Sequence, residues 1–249
     1  MTRQRNMWSS RPSGQDQPGA RPPRRRHWWR WIAGGVVALV VVAVGGTGLA
    51  VTLTPQPAPL ALPKEVAGPS GPLDRTWRVG TGSVAGFRIR ETVIGFSNDV
   101  TGRTGDVSGT VVLAGSQVSR AAFQVSLTTI AVNGKARQPQ LVQSLGVTLH
   151  PDATLALTRP LPLPSAFSTG GVVTTTAMAT LTLNGITRPV TVSLSARRDG
   201  VAIDAAGSLP VSFASFGITG PRGYGAFGAL ASNGTAEFML ILRPGSGDG

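Results

Sequence analysis

The 249-residue sequence predicts an all-β domain of about eight antiparallel strands, preceded by one transmembrane helix. Three observations carry that prediction. Residues 31–53 hold no charged side chain. From Trp77 onward, apolar and polar residues alternate in short stretches separated by turn residues, with no helical period. Finally, Ala177 to Ala196 reads as two amphipathic strands folded about Asn184-Gly185. Ala177, Ala179, Leu181 and Leu183 share one face of the first arm, and Val190, Val192, Leu194 and Ala196 one face of the second. Asn-Gly tolerates the positive φ that a tight hairpin turn requires. Pro189 falls at the start of the second arm, where a missing N–H does least damage.

Taken in order, residues 1–30 are rich in Arg, Pro, Gln and Ser and lack apolar periodicity, so they are expected to form a disordered cytoplasmic tail. The run that follows, residues 31–53, is the expected transmembrane helix; from Ile32 to Leu53 it spans roughly 33 Å, enough for one bilayer crossing. Arginines flank its first end only, which places the N-terminus in the cytoplasm and the remainder outside. The expected location is therefore the cell membrane, single-pass, with Trp28, Trp29 and Trp31 at the headgroups. A cleaved signal peptide is the competing reading, with small residues near Gly48–Ala50, but its apolar segment is usually shorter. Arg25-Arg26 reads as a topology signal rather than a twin-arginine export signal. Residues 54–75 carry six prolines and are expected to be a semi-extended spacer. Residues 76–244 form the expected barrel domain and 245–249 a disordered tail.

Charge and cysteine content narrow the function. The net charge of +12 divides into +7 in residues 1–30 and +5 in residues 54–249, so the basicity is concentrated in the tail and no nucleic-acid partner is inferred. The absence of Cys excludes disulfides, thiolate metal sites and Cys nucleophiles. A domain of about 170 residues needs no such staples.

The strands follow from alternation. Phe87, Ile89, Glu91 and Val93 share one face; Val107, Gly109, Val111 and Leu113 form the next set, then Ala121, Phe123, Val125 and Leu127. Leu155 and Leu157 mark a short strand before a Pro-broken stretch from Pro160 to Pro164. Val172–Leu183 and Val190–Ala196 form the hairpin, Val201 to Leu209 alternates next, and Thr235–Leu242 closes the series. Only residues 128–153 hold a weak case for a helix. Such a count closes as an up-and-down barrel or stacks as a sandwich.

At these residues the chain resembles the YceI-like family, from roughly Trp77 to Arg243. Trp77-Arg-Val and Ser83-Val-Ala-Gly-Phe-Arg-Ile look like the family's opening strand. Val100-Thr-Gly-Arg-Thr with Val107-Ser-Gly-Thr-Val is similar to its next segment. Leu181-Thr-Leu-Asn-Gly-Ile-Thr-Arg-Pro-Val-Thr is similar to the most specific signature, and Phe213-Ala-Ser-Phe-Gly-Ile to a late strand. The resemblance implies a lipocalin-like barrel that binds polyisoprenoids. Two departures stand out. Arg90-Glu91 replaces a common His, and Arg137-Gln-Pro-Gln-Leu141 lacks the polar cluster of the corresponding family segment.

Catalytic chemistry has little to draw on, and the expectation is that the protein is not an enzyme. His150 is the one His outside the N-terminal tail, and a lone His beside a Pro is ordinarily a loop residue. No Gly-x-Ser-x-Gly elbow accompanies it. Glu91, Asp99, Asp106, Asp152, Asp199, Asp204 and Glu237 are scattered, so no metal and no cofactor are expected. Gly223-Tyr-Gly-Ala-Phe-Gly228 matches a dinucleotide fingerprint but lacks the strand–helix context that reading needs. Asn233-Gly-Thr235 is read as a turn rather than a glycosylation site.

What remains is an apolar interior. The expected lining is Phe87, Ile89, Phe123, Val125, Leu127, Leu181, Leu183, Val190, Val192 and Leu194, and the resemblance implies that it encloses a polyisoprenoid or similar apolar lipid. Glu91, on the same face, is expected at the mouth or paired with an Arg, because a lone buried carboxylate is too costly. The alternative is a packed β-domain with no ligand, serving as an envelope protein–protein interaction module.

Overall fold

The computed structural model describes residues 57–64, 67–93, 96–133, 146–218 and 228–245. The expected transmembrane helix at 31–53 and the tail at 1–30 lie outside the described residues. So do Arg137–Leu141 and most of the Gly223–Gly228 run. Among the described residues, no helix is long and apolar enough to cross a membrane.

Thirteen hydrogen-bonded segments form one sheet. They are β1 (Thr76–Val79), β2 (Val84–Val93), β3 (Phe96–Thr104), β4 (Val107–Ala114), β5 (Gln117–Ser126), β6 (Ala131–Val132), β7 (Asp152–Leu157) and β8 (Leu161–Pro162). After a short helical turn, α1 (Ser165–Ser168), come β9 (Val173–Leu183), β10 (Ile186–Asp199), β11 (Ala202–Ser212), β12 (Gly228–Leu230) and β13 (Asn233–Pro244). Register reduces them to eight long strands. β1 and β2 pair with successive parts of β13, and β4 and β3 with β1 and β2 in turn, so each of these couples is one strand with a break. β5–β6, β7–β8 and β12–β13 combine in the same way, while β9, β10 and β11 stand alone. Pairing of Trp77 with Pro244 and Val79 with Leu242 joins the first strand to the last. The sheet therefore closes as an up-and-down barrel, and the sandwich alternative falls.

The central hairpin forms where the alternation puts it, with Ile186 opposite Leu183 and Ala196 opposite Val173. Asn184 (φ 51°) and Gly185 (φ 72°) supply the left-handed pair at its turn, and the Asn184 Nδ2 donates to the Phe216 carbonyl at 3.1 Å. Pro189 sits inside β10, opposite Thr180 rather than at the strand's start. It is tolerated because β10 pairs with β11 only from Ser193 onward, leaving that stretch bonded on one side. Three further expectations change. Leu127 leaves the strand in a 3-10 turn, Leu127–Thr129, yet stays buried. Asn233 and Gly234 lie within β13, opposite Ser212 and Val211, so the turn read there falls earlier, before Asn233. Gly245 is not tail, because its N–H donates to the Thr76 carbonyl at 2.8 Å.

The largest difference concerns the proline-rich spacer. Its described residues run along the outer wall of the barrel as a strap. A polyproline-type backbone makes no internal hydrogen bonds, so its carbonyls are free to accept from outside. Arginines of the wall provide the donors. Arg88 reaches the Pro57 carbonyl at 2.8 Å, Arg103 reaches Ala58, and Arg197 reaches Pro63 at 2.5 Å. Arg198 donates to the carbonyls of Ser70 and Gly71 at 2.6 and 2.7 Å. Two carboxylates complete the arrangement. Arg103 crosses above Gly86, which has no side chain to block it, to Glu237 at 3.2 Å, and Leu60 N–H donates to the same carboxylate at 3.3 Å. Arg197 pairs with Asp204 directly opposite at 3.3 Å, with side chains 7% and 4% exposed. Sequence periodicity is blind to such contacts, because the arginines face outward and are buried only by the strap.

Candidate functional site

Each end of the barrel carries a buried cluster. The end carrying the β10–β11 turn, here the lower end, is stoppered. Trp77 is 1% exposed and its indole N–H donates to the Leu73 carbonyl at 3.1 Å. Phe167, presented by α1, is buried beside it in one cluster with Val111, Leu113, Ile203 and Leu242. The upper end carries the β9–β10 turn and the Gly146–Leu149 turn. Around it lies a second cluster that includes Ile89, Ile130, Leu181, Val211 and Phe213.

Between the ends the lumen is not filled. An upper cavity of about 130 Å³ and a lower one of about 110 Å³ lie along the interior. Phe123, Leu155, Phe238 and Leu240 line both and so form the partition between them. Three aromatic rings are held against the wall in one way. A methyl group on Gly102, Gly109 or Gly207 would meet the ring of Phe87, Phe123 or Phe238 at 2.3, 2.7 and 2.5 Å respectively. Each Gly stands directly opposite its Phe on the neighbouring strand. The missing side chain lets the ring lie over the strand instead of standing into the lumen. A glycine at an inward position of an alternating strand, such as Gly109 between Val107 and Val111, is the sequence signal for this packing.

Of the ten residues expected to line the interior, Phe87, Ile89, Phe123, Val125, Leu127, Leu181 and Leu183 border the upper cavity. Val192 and Leu194, together with Phe123, border the lower one. Val190 packs in the apolar cluster without reaching either. Sequence reasoning missed Phe213, Phe238 and Leu240 among the lining residues, although Phe238 and Leu240 alternate with Met239 and Ile241 along the last strand.

Polar groups near the lumen are few. Glu91, on the inward side of β2 near its upper end, has no ion-pair partner among the described residues, and burial pushes its pKa up. Asp204 is outside the lumen, beneath the strap. Burial raises its pKa, Asp199 adds to the rise, and the Arg197 hydrogen bond and charge oppose it with help from Arg243. His150 is exposed and lies over Gly185, while Asp152 accepts from the Gln124 amide at 2.8 Å. The two do not form a catalytic couple. Among the described residues no three or more metal-ligating side chains gather.

A closed eight-stranded antiparallel barrel around an apolar lumen is lipocalin-like in its architecture. Residues 77–237 match the YceI-like domain, and the chain belongs to that family. Among solved structures, a polyisoprenoid-binding domain from Saccharophagus degradans, implicated in plant cell wall breakdown, shares 16% identity. It aligns over 70% of this chain and 100% of its own, with a TM-score of 0.54. BcnA from Burkholderia cenocepacia shares 15% identity over 62% of this chain and 95% of its own, with a TM-score of 0.45. No curated protein matches the chain.

Proposed function

We propose that this protein is a membrane-tethered, extracytoplasmic lipid-binding protein that holds a polyisoprenoid or similar apolar chain in its barrel. The observation that carries the reading is the two-part, apolar lumen. Each buried CH₂ of a ligand contributes about 0.8 kcal/mol, so a long chain stays bound without strong polar contacts. The polyisoprenoid-binding relative with the same fold supports this ligand class, and the uncharged run at 31–53 supports the tether. A packed interaction module without ligand would need an interior filled by its own side chains, and the cavities speak against that. Native mass spectrometry and lipid extraction of residues 54–249, purified from cells, test the claim. A polyisoprenoid or other long apolar chain at near one per barrel is expected. A barrel that is repeatedly empty would overturn it.

A further inference from the structure

We propose that the barrel stands upper end down on the outer leaflet, so that its lumen exchanges chains with the membrane through that end. The inference rests on the tether read above and adds a direction to it. The strap supplies that direction. Its carbonyls are taken in order up the wall, with Ser70 and Ala67 beside Gly200 at the lower end, then Pro63 on Arg197, Ala58 on Arg103 and Pro57 on Arg88. At Pro57 the backbone is therefore heading for the upper end. Leu53, the last residue of the expected membrane span, is four residues further back, a reach of at most about 14 Å. From Arg88 to the upper limit of β2 is five residues, roughly 13 Å along a barrel axis to which strands tilt by about 40°. From Arg88 back to the first residue of β1 is twelve residues, roughly 30 Å along the same axis. The reach of the chain back from Pro57 covers the distance to the upper end and falls short of the distance to the lower one.

One other feature agrees with that placement. The upper end presents Leu149, 82% exposed, on the turn that lies against the Asn184-Gly185 hairpin. A leucine exposed to that extent suits insertion among acyl chains at a lipid surface, and the exposed Arg188 on the neighbouring strand suits anionic headgroups.

The chain has no cysteine, so single labels are placed without background. Leu149→Cys at the upper end and Val201→Cys at the lower end both replace exposed side chains. They are separated by the length of β10, roughly 35 Å along the axis. Full-length protein with either cysteine carrying an environment-sensitive fluorophore is reconstituted into phosphatidylethanolamine–phosphatidylglycerol vesicles with and without a spin-labelled quencher lipid. The expected result is that both proteins float with the vesicles and the label at 149 loses at least half its emission to the quencher. The label at 201 should change by less than a tenth. Failure to float removes the anchor and overturns tether and orientation together. Flotation with quenching at 201, or at neither site, overturns the orientation alone and leaves the tether standing.

Discussion

Phe238 is one of four side chains that border both cavities, so Phe238→Ala should widen the passage between them. Replacing a core Phe by Ala costs about 3–5 kcal/mol. The ring already faces space on both sides, so the lower figure, about 3 kcal/mol, applies. For a domain of this size that corresponds to a fall in Tm of roughly 6–12 °C. The wider lumen should also change what is bound. Each CH₂ that enters the merged space recovers about 0.8 kcal/mol, and ligand-induced stabilisation grows with the logarithm of affinity. The assay is calorimetric unfolding of the full chain in vesicles, with prenols of increasing length. In the wild type, stabilisation should stop rising at the length that fills the lumen as it stands. In the variant the starting Tm should be lower and the plateau should move to a longer prenol. If both proteins plateau at the same length, the ring does not limit the passage and the two-cavity account of ligand length is wrong.

Three further outcomes are expected. Arg197→Met strands the buried Asp204 carboxylate and should cost about 3–5 kcal/mol, whereas Arg197→Met with Asp204→Leu should return to near wild-type stability in urea unfolding. Burial raises the Glu91 pKa, so between the ordinary and the raised value the folded state holds more protons than the unfolded one. Its ionised form therefore opposes folding, and Glu91→Gln should stabilise the protein most near neutral pH, with the gain shrinking as the pH falls through the raised pKa; urea midpoints at pH 7 and 5 measure this. Asn184→Ala loses the bond to Phe216 and puts a Cβ-bearing residue without local hydrogen bonding at φ 51°. It should cost about 2 kcal/mol, of which Asn184→Gly recovers the backbone part in thermal unfolding.

The sequence carried the strands whose inward residues are apolar in strict alternation. β9 and β10 are legible almost residue by residue because Ala177, Ala179, Leu181, Val192 and Ala196 all face the core. β3 was not read as a strand. Its inward positions are Asn98, Val100, Gly102 and Thr104, opposite Glu91, Ile89, Phe87 and Ala85, and only one of the four is a large apolar residue. Gly102 is there because the Phe87 ring occupies its place, a relation between two strands that no single-strand pattern displays. The strap was hidden for a similar reason. Prolines announce an extended backbone, but which arginines would take its carbonyls depends on where the wall turns outward. The lumen's walls were visible in the alternation, while its being open depends on glycines opposite aromatic rings.

The barrel is sealed by its first and last strands, Trp77 against Pro244 and Val79 against Leu242. Contacts between such distant parts of a chain form late and slowly in folding. During folding the N-terminal strand must therefore wait, with one edge unpaired, until the last strand of the domain is in place. Over that interval the apolar inner surface is an open trough rather than an enclosed tube. The trough is then as accessible to any apolar chain as it is to the strand that will finally close it, so occupation of the lumen and completion of the fold compete for the same surface.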